Sequence, residues 1–82
     1  MNARGILERI LSGSKNIKFE EVVILAKAYG FRLTRINGSH HIFIHPEVRE
    51  LINLQSVNGM AKPYQIKQLL KLVEINSLRL GG

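Results

Sequence analysis

The sequence predicts an α+β domain in which two helices cover one face of a three-stranded antiparallel sheet, in the order α-β-β-β-α, after a short N-terminal helical extension. Three observations carry that prediction. Apolar residues recur at helical spacing on both sides of the chain's middle, the segment between them alternates like strands, and Asn37-Gly38 interrupts the alternation as a hairpin signal. Each amphipathic element needs a partner for its apolar side, and stacking both helices on one sheet face supplies it.

In chain order, RGILERIL at 4–11 places Ile6, Leu7, Ile10 and Leu11 at helical spacing, and SGSK at 12–15 breaks the pattern. Residues 1–15 are therefore assigned to an extension and 16–82 to the domain. In FEEVVILAKAYG, Phe19, Val22, Val23 and Ala26 share one helical face. Glu20 and Glu21 suit the positive end of the helix, and Gly30 stops it. The runs FRLTRI and HHIFIHP then flank Asn37-Gly38, read as the two loop residues of a type I′ turn. After the loop PEVRE, LINLQS at 51–56 supplies the third strand, and VNGMAK is a loop. Pro63 fits the first turn of PYQIKQLLKLVEI, whose Ile66, Leu69, Leu70 and Val73 form the last helix's stripe.

Size and composition narrow the function. A chain of 82 residues, 45% hydrophobic, holds one modest core. Without cysteine it has neither disulfides nor thiolate metal sites, which fits a reducing compartment. No apolar run approaches the roughly 20 residues that span a bilayer. Glu8 and Arg9 interrupt the first segment, unlike a signal-peptide core, so a cytoplasmic protein without membrane contact is expected. The net charge of +6 favours an anionic partner, nucleic acid first.

All three histidines fall between positions 40 and 45, directly behind the turn. With Asn37 and Gly38 as loop residues, Arg35 faces His40 and Thr34 faces His41, and opposed residues share a face. Phe31, Leu33, Ile42 and Ile44 then form the core side, with Arg35 and His40 at its outer rim. Arg32, Thr34, His41, Phe43 and His45 look outward. A guanidinium beside His40 disfavours the imidazolium form, and a neutral imidazole is a general base. On RNA the proton within reach of such a base is that of a ribose 2′-hydroxyl, with Arg35 or a lysine near the last helix countering charge on the phosphate. Such chemistry requires neither metal nor other cofactor. His41 and His45 are too far apart along a strand to share a metal, about 13 Å at the usual rise. No carboxylate is placed to build a triad with Ser39. A second basic cluster, Lys62, Lys67 and Lys71 with Tyr64, surrounds the start of the last helix, either as a phosphate site or as a solvated face.

The run GSHHIFIHP after a helix ending in YGF, followed by a strand and a helix of the YQIKQLLKLVE type, resembles the HicA family of toxins, also called YcfA-like. These are small mRNA interferases of type II toxin-antitoxin systems with a fold like the double-stranded-RNA-binding domain. The similarity spans roughly residues 16–76, and Gly38-Ser39-His40 is its most specific element. The resemblance implies that His40 is catalytic, that Gly38 shapes the turn, and that a HicB-type antitoxin covers the active face. Typical members pass from the third strand through a P-x-H stretch to a helix opening GTLRSIL; this chain has NLQSVNGMAKPYQIKQLL and looks like a divergent subgroup. The expected activity is metal-independent cleavage of mRNA with His40 as base. Arg35, Ser39, His41, Lys62, Tyr64 and Lys67 are candidate RNA contacts, and Asn37 and Gly38 are the structural turn. Two alternatives are a non-catalytic RNA-binding module of the same fold and an interaction protein docking through Ile6, Leu7, Ile10 and Leu11.

Overall fold

Asn2 opens the first helix, accepting a hydrogen bond from the Gly5 N–H on its side-chain oxygen at 2.8 Å. The computed structural model describes residues 2–81. In chain order its elements are α1 (Ala3–Leu11), α2 (Phe19–Ala28), β1 (Arg32–Asn37), β2 (His40–His45), β3 (Val48–Gln55) and α3 (Pro63–Ile75). The strands form one antiparallel sheet in the order β1-β2-β3. Thus the α-β-β-β-α order, the three-stranded sheet and the preceding helix are as the pattern predicts, an arrangement consistent with the double-stranded-RNA-binding-domain type of fold.

The core lies between the helices and one sheet face. Val22, Leu25, Phe43, Ile52 and Leu69 are fully buried there, and so is Ile6. Leu7 and Ile10 pack against the same core while Leu11 remains 70% exposed, so the apolar stripe of α1 is spent inside the fold rather than offered to a partner. An ion pair between Arg9 and Glu21 ties α1 to α2. Glu21 also accepts the Lys18 backbone N–H at 2.9 Å, completing the first turn of α2. That N–H, and after it the Arg9 guanidinium, hold the Glu21 carboxyl below the usual glutamate range against the opposing effect of burial.

The hairpin departs from the expected register. Asn37 belongs to β1 and pairs with His40, so the loop residues are Gly38 and Ser39, not Asn37 and Gly38. Of these two only Gly38 has positive φ (63°), the pattern of a type II′ turn, for which Gly-Ser is as good a signature as Asn-Gly is for type I′. The shift reverses the expected faces. Phe43 and His45 point to the helices, whereas Ile42 is half-buried and Ile44 exposed on the open face. A one-residue bulge between Leu33 and Arg35 then returns Leu33 to the helix side, opposite Phe43. The burial energetics favour this register, because Phe43 meets its fully buried partner Ile52 and fills more apolar volume than either isoleucine would.

His45 tolerates burial because both ring nitrogens are satisfied. Nε2 donates to the Tyr29 carbonyl at 3.1 Å and Nδ1 accepts the Glu47 N–H at 3.0 Å, with the Phe31 ring edge-on at 5.1 Å. Gly30 makes room for the ring. Its φ is +100°, and a Cβ there would lie 2.8 Å from His45 Nε2. The segment PEVRE is mostly strand: His45 pairs with Val48 across the two-residue turn Pro46-Glu47, and β3 begins three residues earlier than LINLQS indicated. In α3, Ile66, Leu69 and Leu72 are buried with Gln65, while Leu70 and Val73 flank the core.

Candidate functional site

Strand alternation decides which side chains meet on the uncovered face. With Phe43, Ile52 and Leu54 in the core, the alternate positions His40, Ile42 and Ile44 of β2 and Asn53 and Gln55 of β3 lie on the other side. Arg35, opposite Ile42, and Asn37, opposite His40, share that side on β1. His40 therefore stands on the open face rather than at the rim of the core, one strand away from Arg35, with which it is not directly paired.

His40 is half-buried and its Nδ1 lies 3.1 Å from Asn53 Oδ1. Nε2 is engaged by no hydrogen bond among the described residues. Around the hairpin tip a short polar network fixes the backbone. Gln55 Nε2 donates to Ser39 Oγ at 3.3 Å, and the Ser56 N–H donates to the Ser39 carbonyl at 3.2 Å. The Gln55 N–H in turn donates to Oε1 of buried Gln65 at 2.8 Å, and Gln65 Nε2 reaches the Tyr64 hydroxyl at 3.5 Å. This chain of contacts connects the start of α3 to the turn that carries His40.

The sequence-predicted residues divide among four places. His40, Arg35 and, through Gln55, Ser39 belong to the open face. Tyr64 joins the network by way of Gln65, is 62% exposed, and carries the Lys62 ammonium 5.8 Å from its ring centroid. His41 faces the helices instead, with Nδ1 donating to the Ser39 carbonyl at 3.2 Å and its ring 4.7 Å from that of Phe19. It helps line an apolar groove of about 570 Å³ between α2 and the β1–β2 hairpin, on the face opposite His40. Lys67 lines a different cleft, beside Lys15 and Pro63 between α1 and α3.

Asn53, Gln55 and Gln65 are the residues that sequence reasoning missed. For the first two a signal was present: in LINLQS they alternate with Ile52 and Leu54, which marks the polar side of a half-buried strand. Gln65 carried no such mark, since a polar residue beside Ile66 reads as solvent-facing until β3 is seen to need an acceptor for its last N–H.

A family model described as the HicA toxin of bacterial toxin-antitoxin systems matches residues 19–75. The chain belongs to the HicA toxin family. Neither the curated proteins nor the solved structures contain a match to it. The matched span begins with α2 and ends with α3, so it takes in the hairpin, the open face and the Tyr64–Gln65 connection. Membership in a HicA family implies an antitoxin as the natural partner. No helix among the described residues is long and apolar enough to cross a membrane.

Proposed function

We propose that this HicA-family chain is a metal-independent endoribonuclease that cleaves mRNA in the cytoplasm, with His40 as general base, and that a HicB-type antitoxin silences it by covering the open face. The observation that supports this reading is the position of His40 on an uncovered sheet face shared with Arg35, its Nε2 hydrogen-bonded to none of the described residues.

His40 Nε2 takes the proton of a ribose 2′-hydroxyl as its oxygen bonds to the adjacent phosphorus. The bond from phosphorus to the 5′-oxygen breaks, and the departing oxygen takes a proton from water or from the imidazolium. The products are a 2′,3′-cyclic phosphate and a 5′-hydroxyl. Because the nucleophile belongs to the RNA, no metal-bound water is required. Arg35 supplies positive charge for the phosphate, and Lys62 with Tyr64 extends the contact along the strand.

The test is incubation of the protein and its His40→Ala variant with a defined single-stranded RNA in EDTA, followed by end-group analysis. Cleavage by the parent alone, leaving cyclic or 3′-phosphate ends, is expected. Equal cleavage by both would remove His40 from the chemistry. RNA binding by both with cleavage by neither would make the chain a non-catalytic RNA-binding module.

A further inference from the structure

We infer that Asn53 is the positioning residue of His40, selecting the ring tautomer in which Nδ1 carries the proton and Nε2 is the basic nitrogen. The consequence for rate rests on the ribonuclease reading; the consequence for the ring does not.

A neutral imidazole holds one proton on either of two nitrogens, and the hydrogen bond at one nitrogen decides the state of the other. Asn53 Oδ1, 3.1 Å from His40 Nδ1, can only accept. The proton is therefore held at Nδ1, and the lone pair is left at Nε2, where no described residue competes for it. A histidine free to exchange tautomers would present an N–H to the ribose hydroxyl part of the time and could not then remove its proton.

The placement of Asn53 is itself secured. It lies on β3, the strand hydrogen-bonded to β2, opposite Ile42 and two residues before Gln55, which is the direct cross-strand partner of His40. Gln55 is held from both sides, by buried Gln65 at its backbone N–H and by Ser39 at its side chain. These bonds prevent β3 from sliding along the hairpin, so the amide and the imidazole keep their register. The remaining hydrogen bonds of the network reach the turn and α3, but Asn53 is the described side chain that touches the His40 ring through a hydrogen bond.

Two variants test this. Asn53→Leu keeps the size and removes the acceptor; Asn53→Asp keeps an acceptor oxygen. Long-range proton–nitrogen NMR correlations on histidine-labelled protein, recorded on the neutral ring, report which nitrogen is protonated without any RNA. The expected result is an Nδ1–H tautomer for His40 in the parent and in Asn53→Asp, and loss of that preference in Asn53→Leu. In the cleavage assay, Asn53→Leu should lower kcat by about tenfold to a hundredfold with KM little changed, the scale on which orienting partners of a histidine act. An Nε2–H tautomer in the parent, or an unchanged tautomer and kcat in Asn53→Leu, would overturn the inference. Should the parent cleave no RNA, the ribonuclease reading fails by itself and the NMR result alone decides the role of Asn53.

Discussion

His40 and His45 stand at opposite ends of one strand, five residues apart, and the two differ in what their rings are given to do. His45 faces the helices, is 8% exposed and has each nitrogen matched to a backbone group. His40 faces away from them, with one nitrogen held by a side chain and the other without a partner among the described residues. Residue type is the same and so is the strand, yet completeness of hydrogen bonding separates the two: both ring nitrogens of His45 are used in holding the fold, while the second nitrogen of His40 is the one that the proposed ribonuclease reading uses as the base. The contrast extends to the faces that carry them. On the covered side Glu21 and Gln65 are also paired, whereas the open side carries Arg35, Asn53 and Gln55 on the same face as a ring whose Nε2 has no hydrogen-bond partner among the described residues.

Replacing the two histidines in turn tests the contrast most strongly. His40→Ala should lower cleavage by about a hundredfold to ten-thousandfold, the usual contribution of a general base, while stability stays within about 0.5 kcal/mol of the parent. His45→Ala should do the reverse, costing about 2–4 kcal/mol in denaturant unfolding by leaving the Tyr29 carbonyl and the Glu47 N–H unpaired beside a cavity, with cleavage per folded molecule retained. If His40→Ala unfolds the protein and His45→Ala abolishes cleavage without unfolding it, the assignment of roles is inverted.

Gly30→Ala is expected to cost about 2–3 kcal/mol, since it combines a positive φ with a close approach to His45 Nε2. The double variant Gly30→Ala with His45→Ala should recover part of that loss, which a double-mutant cycle measures. Glu21→Gln should cost about 1 kcal/mol near neutral pH. Because the folded-state pKa of Glu21 is depressed, its contribution is present above the ordinary carboxylate range and lost as the pH falls through the folded value. The difference between parent and Glu21→Gln should therefore shrink in acid; a constant difference would mean that charge is not the cause. The smallest effect is expected on the open side: Arg35→Ala should weaken RNA binding about threefold to tenfold and reduce the salt slope by about one.

Much of this molecule is legible from residue order. The helices follow from their apolar stripes, Pro63 marks the start of α3, and three strands follow from alternation. What pattern did not settle was which alternate set turns inward. HHIFIHP offers two isoleucines on one side and a phenylalanine between two histidines on the other, and adding hydrophobicity alone selects the isoleucines. The structure selects the aromatic, because Tyr29 and Glu47 supply partners for His45 that lie outside the strand itself. Asn37-Gly38-Ser39 likewise holds two overlapping turn signals one residue apart, and packing beyond the turn chooses between them. The candidate site was legible in its histidine and its arginine. Its orienting groups were not, since Asn53 acquires a role only when β3 is aligned beside β2.

The close approach of Gly30 to the His45 ring has a consequence for how such a sequence can diverge. Any side chain at position 30 meets the imidazole before it meets anything else, and the bond from that imidazole to the Tyr29 carbonyl is lost with it. Neither residue is expected to change alone without loss, so a lineage that acquires a side chain at 30 should be found to have given up the ring at 45. His40 is under no such partnership with the core, so on the proposed ribonuclease reading substitutions there should cost activity rather than folding.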